Sequence, residues 1–239
     1  VPALDRYVSE CAEMLWQPAG EPVRRWLTEA RGLPEDVLRV NRIGVDLGFR
    51  RQVRPSMVPK VLRAVVLPVL VPEGACFVQL RVLNGGPDFP RYLNSLEAEA
   101  PNPRVAFYRP ARSFDFPCER RELIVTEGII DALSATAAGY EAAAVLGAGL
   151  ADPLTALALA RVPKPLVVAF DPDAAGRHGT DRLVQQLGAR HRRAHILQLG
   201  DGDLNENLVR ATEWPLEIAA RVGLAVHRHS PPAPVRRMG

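Results

Sequence analysis

Apolar positions change their spacing twice along this chain. In the first forty residues they are spaced as on helices. Val8, Leu15 and Trp16 mark one, and Val23, Trp26 and Leu27 another that opens at Pro22, a residue suited to a first helical turn because no amide proton is lost there. Gly32 is placed to end that helix. Leu33-Pro34-Glu35-Asp36 opens the next, with acids where the positive end of the helix dipole favours them. Beyond Ile43 the pattern becomes strand-like: the runs 65–71 and 77–82 flank Pro72-Glu73-Gly74 and predict a hairpin or meander, with a further turn at Asn84-Gly85-Gly86-Pro87.

From Glu122 short apolar runs alternate with helix-spaced stretches. The pattern predicts strands at 123–125, 142–146, 166–170 and 194–199, separated by helices at 129–138, 153–160 and 174–187. Short strands joined by helices of this length describe a parallel sheet with crossover helices. Asp152-Pro153 marks the second of these helices with an N-cap and a first-turn proline. The expected organisation is a mixed α+β subdomain over 1–121, an α/β domain over 122–212, a helical segment at 213–226 and a proline-rich tail or linker at 227–239.

Composition narrows the class. Of 239 residues 47% are hydrophobic and 24% charged, enough apolar surface to offset the ordering of the chain. The longest apolar run, Ala64 to Pro72, is too short and too proline-broken to cross a bilayer. A soluble protein of a reducing cytoplasm is expected, because Cys11, Cys76 and Cys118 are odd in number and show no zinc-ligand or disulfide-framework spacing. The net charge of +3 is concentrated in the first half. Arg39, Arg42, Arg50, Arg51, Arg54, Lys60 and Arg63 face one acid, Asp46, in the same stretch. Such a run suits a polyanion-binding lobe, and equally a solvated basic face.

The acids are placed differently. In open α/β sheets ligands gather beyond the carboxyl ends of the strands. Three of the four predicted strands end in acids: Glu127 after the first, Asp171 and Asp173 after the third, Asp201 and Asp203 after the fourth. On adjacent strands these carboxylates would converge and repel one another unless a cation such as Mg²⁺, which takes hard oxygen ligands, lay between them. Each also has a structural use. Asp171 or Asp173 could cap the helix from Ala174, Asp131 could complement a helix dipole, and Asp201 and Asp203 could form a turn. Gly128, directly after Glu127, removes bulk where a substrate or second backbone would approach.

Three segments resemble the Toprim domain as found in bacterial DnaG-type DNA primases: Thr126-Glu127-Gly128-Ile129-Ile130-Asp131, Val145-Leu146-Gly147, and Ala169-Phe170-Asp171-Pro172-Asp173 followed by Ala174-Ala175-Gly176-Arg177. The first lobe extends the likeness. Trp26-Leu27, Arg31-Gly32-Leu33, Arg63, Arg81 and Arg91-Tyr92-Leu93-Asn94-Ser95 are similar to the N-terminal subdomain of the primase RNA polymerase core. Asp203-Leu204-Asn205 stands where many relatives carry two aspartates, a form also similar to plasmid, phage and helicase-linked primases.

The resemblance implies an α/β Toprim domain, a parallel sheet flanked by helices, preceded by a mixed α+β basic subdomain. It implies Glu127, Asp171 and Asp173 as catalytic residues and ligands of Mg²⁺ or Mn²⁺, supplemented by Asp131 and Asp203. Arg63, Arg81, Arg91, Tyr92 and Asn94 would bind nucleic acid or nucleotide. The implied activity is nucleotidyl transfer, making short RNA primers from ribonucleoside triphosphates on single-stranded DNA, with a replicative helicase engaged through regions outside this chain. Two other readings stand beside it, a Toprim-type metal-dependent nuclease and a non-catalytic DNA- or helicase-binding module.

Overall fold

The computed structural model describes residues 2–48, 53–61, 63–83, 85–86, 89–111, 121–146 and 152–227. Arg50, Arg51, Asn84, Pro87, Cys118, Gly147 and the proline-rich tail from 228 lie outside the described residues.

Helix α1 (Pro2–Leu15) buries Leu4, Tyr7, Val8, Cys11 and Leu15, one stripe at helical spacing. After a short 3₁₀ turn, α2 (Glu21–Arg25) runs into a π-helical turn over Trp26–Ala30. Gly32, at φ 64°, reverses the chain, and α3 (Glu35–Val40) follows. Four antiparallel strands then form a sheet in sequence order: β1 (Gly44–Asp46), β2 (Ala64–Val71), β3 (Gly74–Val82) and β4 (Tyr92–Asn94). The predicted hairpin is β2–β3. The apolar run of β2 has no alternation because both of its faces are covered. Ala64 and Val66 pack with Leu4, Val8 and Cys11 of α1, whereas Val65, Leu67 and Val69 join the core that continues into the second lobe.

The second sheet has the order β5-β7-β6-β8-β9, built from β5 (Val105–Tyr108), β6 (Leu123–Thr126), β7 (Glu141–Val145), β8 (Leu166–Val168) and β9 (Ala194–Ile196). The four predicted strands are mutually parallel. The sheet is nonetheless mixed rather than purely parallel, because β5 adds antiparallel to β7. Helices α4 (Ile129–Thr136), α5 (Pro153–Ala160), α6 (Ala174–Gly188), α7 (Leu204–Arg210) and α8 (Trp214–His227) complete this lobe. Strand alternation separates its two cores. Ile124 and Val167 pack with Ile129 and Leu133 of α4 and with Ile218 of α8, while Val125 and Val168 pack with Leu159 of α5 and Leu183 of α6.

The lobes share one core. Val65 and Leu67 of β2 belong to the same buried cluster as Tyr108, Ile124 and Leu133. Tyr108 Oη donates to the Pro68 carbonyl at 3.0 Å. The Asn41 amide both donates to Arg109 O, at 2.9 Å, and accepts from Arg109 N, at 3.0 Å. Among the described residues no helix is long and apolar enough to cross a membrane.

Candidate active site at the strand ends

Topology puts two acids beside one crevice. Strands β6 and β8 are adjacent and parallel, with Val125 opposite Val168. The chain leaves β6 through α4 toward β7 on one side, and leaves β8 through α6 toward β9 on the other. Because α4 and α6 lie on opposite faces, a gap opens beyond the carboxyl ends of the two strands. Glu127 follows β6 and Asp171 follows β8, so both stand at this gap.

The surroundings of these acids favour their neutral forms. Glu127 Oε1 is buried without a hydrogen-bond partner, and burial, then the charge of Asp171, pushes its carboxyl up to about 7. Asp131, in the first turn of α4, is also raised to about 7 by burial, then by Asp203 and Asp171, although its Oδ1 accepts from Asn205 N at 3.1 Å. Asp171 is raised by burial and by Asp203, Asp173 and Glu206. Two glycines make this crowding possible. A Cβ at Gly176 would stand 2.1 Å from Asp171 O and 2.6 Å from Glu127 Oε1. A Cβ at Gly128 would stand 2.9 Å from Asp131 Oδ2. The bulk that Gly128 omits makes room for the Asp131 carboxylate, and Gly128 also lines the adjoining cavity, where the sequence expected a substrate to approach.

A cavity of 440 Å³ lies against these acids, within the usual ~300–1,000 Å³ of ligand sites. Glu127, Asp131, Asp171 and Asp203 line it from the second lobe, and Arg81, Arg91, Tyr92 and Asn94 from the first. Two expected residues are not in its lining. Asp173 Oδ1 accepts from Gly176 N at 2.7 Å and so caps α6. Arg63 sits at the start of β2, its carbonyl accepting from Leu83 N at 3.2 Å. Asp203 also caps a helix, accepting from Glu206 N at 2.6 Å, but still reaches the cavity. Asp201 is exposed in the preceding loop.

Of the basic stretch 39–63, Arg50 and Arg51 lie outside the described residues, Arg39 and Lys60 are exposed, and Arg42 and Arg54 are tied to acids of the first lobe. Arg39 stacks on Trp16, 3.4 Å from the ring centroid. Arg42 binds Asp5 at 2.7 Å. Arg54, with a side chain 9% exposed, bonds Asp46 at 2.5 and 2.8 Å, and Tyr7 Oη donates to the same fully buried carboxylate at 2.7 Å. Arg42 and Arg54 thus help hold the first lobe together. Arg31 and Asn205 reach the cavity without having been assigned a part there from sequence. Arg31 Nη1 donates to Asn205 Oδ1 at 3.2 Å, and Asn205 Nδ2 donates to Arg31 O at 2.8 Å. Their signals were the Arg31-Gly32-Leu33 and Asp203-Leu204-Asn205 segments, which carry no chemistry until the chain folds them together.

Among the described residues no three His, Cys, Asp or Glu side chains converge closely enough to hold a metal ion by themselves. Capping explains part of this, since Asp173 and Asp203 each give an oxygen to a helix amide. A divalent cation still fits at Glu127 and Asp171. The donors are hard oxygens, Glu127 Oε1 is buried without a partner, and Mg²⁺ is commonly held by one or two carboxylates with waters and phosphates completing the shell.

Known proteins share parts of this sequence and its fold. The Toprim-like family model matches residues 124–208. The DNA primase of Myxococcus xanthus is 27% identical over 147 residues, 61% of this chain and 24% of the relative, so the chain spans about a quarter of that relative's length. A solved DnaG catalytic core is 26% identical with a TM-score of 0.69, over 94% of this chain and 79% of the other. A DnaG primase catalytic domain bound to single-stranded DNA is 24% identical with a TM-score of 0.72, over 94% and 78%. The chain carries a Toprim-like domain within the fold of a DnaG-type primase catalytic core, and its relatives are bacterial DNA primases.

Proposed function

We propose that this chain is the catalytic core of a DNA primase, joining ribonucleoside triphosphates into short RNA primers on single-stranded DNA. The observation that carries the reading is the charge arrangement of the cavity. Four carboxylates and three arginines, Arg31, Arg81 and Arg91, line the same space, yet among the described residues none of these arginines pairs with an acid. Opposite charges left apart in one cavity suit a ligand that carries both signs, a polyphosphate with its divalent cation.

In this reading Glu127 and Asp171 hold Mg²⁺ or Mn²⁺, with Asp131, Asp173 and Asp203 adding negative potential around them. A divalent cation there supplies charge stabilisation at the α-phosphate and lowers the pKa of an attacking hydroxyl. Arg31, Arg81 and Arg91 neutralise phosphate oxygens of the incoming nucleotide or the template, with Arg63 further along the same lobe. Tyr92, exposed at an edge strand, offers a stacking face for a base, and Asn94 offers its amide to a sugar or base edge. The relative solved with single-stranded DNA supports a single-stranded template. A cytoplasmic location and recruitment by a replicative helicase belong to the same proposal.

The test is incorporation of labelled ribonucleotides on a single-stranded template. Wild-type chain is expected to extend a pre-annealed primer. Glu127→Gln and Asp171→Asn, which relieve crowded charge and keep the fold, are expected to lose at least about a hundredfold in rate. Undiminished synthesis by either variant would overturn the assignment.

A further inference from the structure

Two of the cavity's guanidiniums rest on an aromatic ring that does not itself line the cavity. The guanidinium of Arg31 lies 4.9 Å from the Trp26 ring centroid and that of Arg81 lies 5.2 Å from the same centroid. Like charges repel, so holding both here requires attraction from other groups. The electron-rich faces of the ring provide it. Arg31 is further tied to Asn205, and Arg81 donates to the Tyr92 hydroxyl and lies 5.1 Å from the Tyr92 centroid. Every one of these partners is uncharged. The guanidiniums are therefore fixed in place without being neutralised.

The backbone makes this stack possible. In an α-helix a residue five positions on is turned by about 140° from the first, away from its side chain. Trp26–Ala30 is instead π-helical, and Arg31 N–H reaches back to Trp26 O at 3.1 Å. The wider turn carries Arg31 round over Trp26. Gly32, with positive φ, ends the helix immediately afterwards.

We propose that Trp26 is a positioning residue whose ring holds Arg31 and Arg81 side by side as a preformed polyphosphate clamp. The claim builds on the primase reading for its substrate and adds to it a residue that acts through the arginines. An aliphatic side chain would occupy the same space but leave the guanidiniums free to spread, or to fold onto the carboxylates of Glu127 and Asp171.

The test is calorimetric titration of the full chain with inorganic triphosphate in the absence of divalent metal. Trp26→Leu is expected to weaken binding about tenfold, and Trp26→Phe, which restores a ring, about threefold or less. Arg81→Leu is expected to cost less affinity in the Trp26→Leu background than in wild type, a coupling that a packing role would not produce. Wild-type affinity in Trp26→Leu, or equal losses in the Leu and Phe variants, would overturn the proposal. If circular dichroism shows that Trp26→Leu does not fold, Trp26→Met takes its place in the cycle with Arg81→Leu: coupled losses support the clamp and additive losses overturn it. Absence of triphosphate binding by wild type would overturn the clamp and the primase reading together. A chain that binds triphosphate but extends no primer overturns only the primase reading, and the variant ratios still decide the part of Trp26.

Discussion

Asp5 and Glu127 are both partly buried carboxylates, and their neighbours push them in opposite directions. Asp5 receives Arg42 Nη1 at 2.7 Å and Ala75 N at 2.9 Å, which hold its carboxyl below the usual range. Glu127 has burial and Asp171 against it and is raised. A lowered folded-state pKa means that the stabilisation from Asp5 is complete above the unfolded value of about 3.9 and is lost as pH falls through the folded value. Because the pair is largely solvated, Asp5→Asn is expected to cost about 1 kcal/mol or less at pH 7. That deficit should begin to shrink as pH falls below about 3.9 and be smaller at pH 3 than at pH 7, as urea melts at the two pH values would show. A deficit that persists unchanged at pH 3 would assign it to packing rather than to charge. Residue type alone shows neither outcome. Arg42 and Asp5 are 37 positions apart, and Arg54 reads as one more basic residue until Asp46 and Tyr7 are seen around it.

Helices and strands with strong local punctuation were readable from sequence. Asp152-Pro153 starts α5 where predicted, and Asp173 starts α6. Helix α7 escaped prediction despite its Asp203 cap, because that loop reads as a turn from sequence, and other elements escaped because their reason is tertiary. Strand β1 has three residues, β5 is a four-residue edge strand with Phe107 exposed, and the π-helical turn at Trp26 has no signature in apolar spacing. At the site, the acids were readable because they follow apolar strands. Their division of labour was not, since capping depends on which oxygen meets a helix amide. Asp152 and Asp173 both cap with a side-chain oxygen 2.7 Å from an amide, but only Asp173 stands beside the acidic cluster. Alanine at either position is expected to cost about 1 kcal/mol of stability. Asp152→Ala should leave nucleotide incorporation unchanged, whereas Asp173→Ala should reduce it well beyond what the melting shift explains. Equal activity in the two variants would reduce Asp173 to a cap.

At the scale of the whole molecule, the expected boundary near 121/122 divides the chain but not the core. Strand β5 precedes that point and pairs with β7, Tyr108 bonds Pro68 of the first sheet, and one buried cluster runs from Leu27 to Ile218. A cavity lined from both lobes needs this continuity, because Arg81 and Asp171 keep their relation only if the sheets do not move independently. Heating followed by calorimetry and by tryptophan fluorescence, with Trp16 and Trp26 in the first lobe and Trp214 in the second, should show a single coincident transition. Two separated transitions would mean that the lobes unfold alone. The central claim is that acids from two adjacent strands and arginines from the other lobe enclose one cation-bearing polyphosphate. Anomalous diffraction from crystals soaked with Mn²⁺ and a ribonucleoside triphosphate tests it most directly. Manganese bound by Glu127 and Asp171, with the phosphates reaching Arg31 and Arg81, is the predicted result; an accessible cavity in which manganese and triphosphate both fail to bind would contradict it.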